Sequence, residues 1–400
     1  MTRTINVAWH QGRAMSTIKL YYDDPYQRTF TSTVEECRRR QDGFAVRLAE
    51  TAFYPEGGGQ PYDTGRLGDA CVREVHEKDG EIWHYTDREL LPGSAVEGEI
   101  DWERRFDHMQ QHSGEHIVSG MICGRFGCDN VGFHLGSEVI EIDFNYEIPE
   151  EEIRRLERDA NRYVWENHEL EILWPTREEL ETLVYRSKKE LTGDVRITRW
   201  PGADTCACCG THLRRSGEIG QILLLSSMRM KGGTRIFLLC GSRALAYVNR
   251  VKEENDTVSH LLSAKWDETS AAVKRLQAEC VELKVRENER EFQLLREEAK
   301  RYEGAGHVLL FENRLSPDNF RKLVNDVMET CGGICAAFSG SDEEGYRYCI
   351  GQKDGNLKDF TKALNTALNG RGGGRPFFVQ GQVAASREQI EAAVKQLYGA

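Results

Sequence analysis

Two pairs of metal-seeking side chains, far apart in the chain, restrict the folds open to it. His112 and His116 are four residues apart, and so are Cys208 and His212. On a helix, residues at that spacing share a face, so both imidazoles can reach one ion. The stretch Cys206-Ala-Cys-Cys-Gly-Thr-His212 can close on the same ion from the other side. A tetrahedral zinc accepts one thiolate and three neutral imidazoles with no carboxylate. The expectation is therefore one Zn2+ per chain, held by His112, His116, Cys208 and His212, and a fold that brings the two segments together. Cys206 and Cys209 can compete with Cys208, and His108 lies one turn before His112, so other ligand sets stay open; the spacing to His212 favours Cys208. Four protein ligands make a closed, structural site, whereas three plus water leave a catalytic position. Both remain open on spacing alone.

His112-Ser-Gly-Glu-His116 also matches the H-x-x-E-H pattern of inverted zinc peptidases, with Glu115 as general base. A solvated carboxylate on the helix face is the plainer reading of Glu115. Those peptidases take a downstream carboxylate as third ligand, and the Cys-x3-His pair is the better match here.

A second candidate site is the loop from Thr51 to Asp63, which contains Gly57, Gly58, Gly59 and Gln60. Consecutive glycines permit positive φ and close backbone approach, and Gln60 offers both donors and acceptors, so a ligand can lie directly on this loop. A tight turn alone would use the same residues.

Four hundred residues with 39% hydrophobic composition build two or three domains. A net charge of −12 argues against a wholly basic, nucleic-acid-coating protein, so any RNA contact must be patchy. The basic clusters are Arg38–Arg40, Arg214-Arg215, Arg229 with Lys231, and Arg371 with Arg375. The last pair brackets Gly372, Gly373 and Gly374, where bare backbone can approach phosphates. Twelve cysteines without the spacing of a secreted scaffold, no signal-peptide core and no membrane-spanning apolar run together read as a cytoplasmic chain with reduced thiols and no membrane contact.

The expected architecture is an α+β multidomain chain. Residues 1–15 read as a disordered extension, Met15 opening a more typical start. Residues 16–101 carry short β runs with Asp42-Gly43 and Asp79-Gly80 turn pairs, a small β-rich, barrel-like N-terminal domain. Residues 102–241 form an α+β zinc-containing domain: helices over Trp102–Cys123 and Pro149–Glu166, then a hairpin of Ile219–Ser226 and Thr234–Cys240. Residues 242–303 contain neither glycine nor proline and predict one long helix or a helical hairpin. Leu262, Trp266, Thr269, Val273, Leu276, Cys280 and Leu283 mark a coiled-coil seam, which suits packing on its own domain and homodimerisation equally. Residues 304–400 form a C-terminal α/β domain with strands His307–Phe311 and Cys335–Ser339 and helices from Pro317 and over Glu388–Leu397.

Thr51–Asp63, His112–His116 and Cys208–His212 with Ser216–Gly220 together resemble the editing region of alanyl-tRNA synthetases and the freestanding AlaX-type editing proteins, in the same order. Gly372-Gly-Gly-Arg-Pro376 and Phe377–Gly381 resemble the DHH-associated domain at the end of those synthetases, making the chain similar to a long-form editing protein. With no adenylation domain upstream and no Asp-His-His motif, the resemblance implies editing in trans: a deacylase that hydrolyses the ester of alanine tRNA mischarged chiefly with serine, glycine being the second candidate. It implies that Thr51 meets the serine hydroxyl, that Gly57–Gly59 and Gln60 line the acceptor-end pocket, and that the zinc ion orients substrate or water. From the basic pair and its glycines, Arg371–Arg375 and the C-terminal domain are expected to hold the tRNA, and a homodimer is expected through the long helix or that domain. The family segment commonly reads Cys-Gly-Gly-Thr-His, and here Cys209 stands at the first glycine. The rival readings are a non-catalytic tRNA-binding protein with structural zinc and the zinc peptidase.

Overall fold

The computed structural model describes residues 16–187 and 194–399, and the extension expected over residues 1–15 lies outside them. The chain divides into two compact units, Met1–Asp256 and Thr257–Ala400.

In the first unit, six antiparallel strands close into a barrel: Thr29–Arg40, Gly43–Leu48, Glu81–Thr86, Ala70–Lys78, Gly65–Leu67 and Ala95–Ile100, the last pairing back to the first. Along Thr29–Arg40 the residues Phe30, Ser32 and Val34 are buried while Thr29, Thr31 and Thr33 are exposed, the period-two pattern of a strand with one face inside. Val34, Val46, Leu48, Leu67, Val75 and Ile82 fill the interior with no exposed surface, each burial contributing about 1.5–3 kcal/mol. Asp79 and Gly80 both have positive φ, a two-residue turn between paired Lys78 and Glu81. The other turn differs from expectation: Arg40 pairs with Gly43, so the loop is Gln41-Asp42 and Gly43 opens the next strand.

After the barrel comes the Trp102–Phe126 helix, capped at its start by Asp101, whose side chain accepts from the Arg104 N–H, and at its end by Gly127 in the left-handed region. It runs three residues beyond Cys123 before that cap. Its apolar residues Met109, Ile117, Val118 and Ile122 enter a core with Ile140, Ile142, Ile236 and Leu238. Those come from a four-stranded antiparallel sheet ordered Ile222–Met230, Gly233–Cys240, Ile140–Phe144, Asn130–Leu135. The strand expected from Ile219 starts at Ile222, because Ser216–Ile219 is a 3-10 turn. The Glu150–Glu166 helix covers the same core through Ile153, Leu156, Ala160 and Val164. A small sheet of Glu171–Leu173, Ile197–Trp200 and Asp204–Ala207 leads into the cysteine loop.

Barrel and helix are tied by Arg105, which has no exposed surface. It forms an ion pair with fully buried Asp63 at the end of the glycine loop and donates to the carbonyls of Ala52 (2.6 Å) and Pro25 (2.8 Å). Asp63 in turn accepts from the Tyr54 N–H at 2.6 Å. A buried charge pair of this kind survives only when the remaining hydrogen-bonding positions are also filled, and here they are.

The glycine-free stretch is two helices, Gly241–Leu261 and Thr269–Lys300. Ser263 has a positive φ of 48° in the connection. The expected seam is thereby interrupted: Leu262 and Trp266 fall in the connection, and Val273, Leu276 and Leu283 are exposed on the second helix.

The second unit has a five-stranded sheet ordered Gly306–Phe311, Gly332–Ser341, Gly345–Gln352, Phe378–Val383, Arg371–Arg375, with the first pair parallel and the others antiparallel. Each face of the sheet carries its own core. Cys335, Ala337 and Cys349 meet the Pro317–Thr330 helix together with Leu295 and Ala299. Ala336, Phe338, Tyr348 and Ile350 meet Leu364, Ile390 and Val394 from the two last helices. The Arg371–Arg375 strand lies at the edge and all five of its residues are exposed. Among the described residues, no helix is long and apolar enough to cross a membrane.

Candidate metal centre

The Trp102–Phe126 helix presents His112 and His116 on one buried face, and the loop after the Asp204–Ala207 strand brings Cys208 and His212 to the same point. One donor atom from each of the four lies within 4.8 Å of all the others. Cys208 Sγ is 3.5 Å from His112 Nε2 and 3.4 Å from His212 Nε2. Zn–S and Zn–N bonds of about 2.3 and 2.0–2.1 Å at a tetrahedral angle put sulfur and nitrogen about 3.6 Å apart, so these donors are spaced as the ligands of one ion are. Their chemistry also fits. Burial opposes ionisation of the Cys208 thiol, yet the surrounding imidazoles of His112, His212 and His116 bring it well below its ordinary value. Burial holds His212 down to about 3, a neutral imidazole with a free lone pair.

Two outer partners fix the rings. His112 Nδ1 donates to Gln60 Oε1 at 2.8 Å, and His116 Nδ1 donates to Asp204 Oδ2 at 2.7 Å, turning each Nε2 inward. Asp204 is itself clamped by Arg186, Nε to Oδ1 at 2.7 Å and Nη2 to Oδ2 at 2.8 Å. Burial opposes the Asp204 charge, but hydrogen bonds from His116 and Arg186 hold its carboxyl below the usual range. No spacing rule points to Asp204 or Arg186 from sequence. A short motif can reveal ligands, whereas their outer partners are joined only by the fold.

The competing cysteines separate cleanly. Cys206 lies with His116 and Asp204, a second group of close donors on the carboxylate side of the histidine, and burial pushes its thiol well up. Cys209 is exposed, with Tyr22 as its neighbour. His108 is outside the four-donor group, and burial pushes it down to about 3. Glu115 is buried, not solvated as its plainer reading had it: its Oε1 accepts from Ser119 Oγ at 2.7 Å and Asn130 Nδ2 at 3.0 Å.

The glycine loop reaches the centre through Gln60. Its Oε1 also accepts from the Thr211 N–H at 3.1 Å, and its Nε2 donates to Thr211 Oγ1 at 2.8 Å. Gly59 has a φ of 86°, and a Cβ there would strike the Phe133 ring, which stacks on His112. Gly210 is equally constrained, because a Cβ would meet both His112 and Gln60. Gly57, Gly58, Gly59 and Gln60 line a cavity of about 490 Å³ together with Glu56 and His134. Thr51 is fully buried, its hydroxyl 2.8 Å from His84 Nε2.

The basic clusters divide. Arg38 pairs with Glu36, Arg214 with Asp24, Arg215 with Glu169 and Arg229 with Glu147, so each is partly neutralised in place. Arg371 and Arg375 flank the exposed glycine edge of the C-terminal sheet, and Arg371 lines a polar cavity of about 1010 Å³ with Arg347.

Residues 195–237, which include Cys208 and His212, match the threonyl and alanyl tRNA synthetase second additional domain, and residues 304–399 match the DHHA1 domain. The chain is 32% identical over 416 residues to the alanine–tRNA ligase of Pyrococcus abyssi, an alignment covering 95% of this chain and 44% of the ligase. It is 31% identical to the mouse alanyl-tRNA editing protein Aarsd1 across 64% of this chain and 66% of that protein. With Xenopus laevis alanyl-tRNA editing protein Aarsd1-A it shares 29% identity over 88% of this chain and 87% of the relative. The chain thus spans less than two thirds of the ligase and of the mouse protein.

Proposed function

We propose that this chain is an alanyl-tRNA editing protein like the relatives it matches, a trans-acting deacylase that hydrolyses mischarged alanine tRNA. The substrate is the seryl ester, with the glycyl ester second, and the setting is cytoplasmic. What supports this most is the convergence of four metal donors beside a glycine loop that is bonded to one of them through Gln60.

In this reading His112, His116, Cys208 and His212 would hold zinc, which would orient the substrate or a water, and would lower that water's pKa only with one of the four positions left open. The remaining work belongs to the chain. Gly57–Gly59 leave backbone bare for the acceptor end of the tRNA, and Gln60 keeps that loop in register with the ligand helix. Thr51 meets the side chain of the wrong amino acid. A buried group that bonds a substrate hydroxyl is left unpaired by alanine, which is why serine is removed and alanine spared. The exposed Arg371–Arg375 edge and the C-terminal unit grip the tRNA body.

The test is release of serine, glycine and alanine from separately charged alanine tRNA, with His116→Ala as control. Serine release by the wild type, lost in the variant together with bound metal, is the expected result. Tight tRNA binding without any release would favour the non-catalytic reading. Proteolysis dependent on Glu115 would favour the peptidase, though the hydrogen bonds from Ser119 and Asn130 that occupy Glu115 speak against it.

A further inference from the structure

His84, which no motif singled out, sits on the Glu81–Thr86 strand of the barrel with no exposed surface. Its Nδ1 is 3.1 Å from the carbonyl oxygen of Val46. A carbonyl only accepts, so Nδ1 carries a proton. Burial pushes His84 down to about 4, so at neutral pH the ring has no second proton and Nε2 is a bare lone pair. That lone pair faces Thr51 Oγ1 at 2.8 Å. The Thr51 hydroxyl must therefore spend its single proton on His84. The same oxygen accepts from the Phe53 N–H at 3.1 Å, and the Phe53 ring packs edge-on against the His84 ring at 5.4 Å, holding the arrangement from both sides.

A hydroxyl has one proton and two lone pairs. With the proton given to His84 and one lone pair filled by Phe53, Thr51 has a single capacity left, to accept. No other group among the described residues is hydrogen-bonded to it. We propose that His84 is a specificity-determining positioning residue, which locks the Thr51 hydroxyl as a pure acceptor and so selects an aminoacyl side chain that can donate a proton. The proposal rests on the reading above that Thr51 meets the substrate side chain. A serine hydroxyl donates into the waiting lone pair, whereas the methyl of alanine leaves it empty in an enclosed place. A hydroxyl free to rotate could turn its proton aside and relieve that mismatch, so the lock sharpens discrimination rather than binding in general.

The experiment compares kcat/KM for seryl- and alanyl-charged alanine tRNA in wild type, Thr51→Val, His84→Leu and the double variant, with bound metal measured in each. The serine-to-alanine ratio should fall about tenfold in His84→Leu. In the Thr51→Val background, removing His84 should lower it no further, because its only route to the substrate is already gone. A ratio unmoved by His84→Leu, or losses that multiply in the double variant, would overturn the proposal. Nitrogen-15 NMR of the wild-type imidazole is a second readout, independent of turnover and of whether the variant folds: a proton on Nε2 instead of Nδ1 would overturn it. A wild type that releases no serine sinks the deacylase reading and the proposal with it. A serine-active wild type whose ratio ignores His84 sinks the proposal alone.

Discussion

Asp204 positions one of the four clustered donors through a hydrogen bond to the far side of its ring. It accepts a hydrogen bond from His116 and is clamped in turn by Arg186. Asp204→Asn keeps the shape but loses the charge, and metal affinity measured by chelator competition should drop about 10–100-fold while the far-ultraviolet spectrum is unchanged. His84 makes a different prediction. Folded, it resists protonation until about pH 4, whereas its ordinary value is 6.5. As pH falls through 6.5 the unfolded chain takes up a proton that the folded chain refuses, so stability is lost across the window from 6.5 to about 4, by up to about 3 kcal/mol. Denaturation midpoints at neutral pH and within that window should show this loss, and His84→Gln should flatten it. At this scale, legibility tracked spacing. His112 with His116 and Cys208 with His212 could be read because helices and tight loops turn fixed intervals into shared faces. His84 and Asp204 could not, because each works through a partner that only the folded chain brings near.

The glycine edge of the C-terminal sheet separates structural from functional glycine. A Cβ on Gly372 would come within 2.3 Å of the Tyr348 hydroxyl and 2.4 Å of the Gln380 carbonyl, whereas one on Gly373 would meet nothing within 4 Å. Gly372→Ala should therefore destabilise this unit by about 1–3 kcal/mol in denaturant titration. Gly373→Ala should leave stability nearly untouched, so any loss of tRNA affinity it causes reports on the backbone surface itself. Elements were readable where turn chemistry was local, as at Asp79-Gly80, and less so where it was not. The hairpin of Asn130–Leu135 and Ile140–Phe144 turns without an Asn-Gly or Asp-Gly pair, through Gly136 bonded to the Val139 carbonyl. The break between Leu261 and Thr269 contains neither glycine nor proline, so propensity carries the helix straight across it.

Across the molecule, the boundary near Asp256 offers a cleaner cut than one at Gly304. Leu295 and Ala299 belong to the core of the C-terminal unit, and a chain ending at Gly304 would leave them bare. A chain ending at Asp256 should keep its bound metal and its serine-to-alanine ratio while its KM for charged tRNA rises about tenfold or more, with a shallower dependence on salt. Equal KM for the two forms would remove the C-terminal unit from tRNA binding. Closure of six strands into a barrel was beyond sequence reasoning in its detail, because the pairing of Thr29–Arg40 with Ala95–Ile100 joins segments with no local signal between them.

Gln60 holds His112 with one end of its amide and Thr211 with both. The wall of the cavity and the cluster of donors are consequently one mechanical part, and neither can relax alone. Stripping any bound metal should raise amide hydrogen exchange in Gly57–Gln60 before it does so in the barrel strands, so that an emptied protein loosens one wall of the cavity while the barrel still stands.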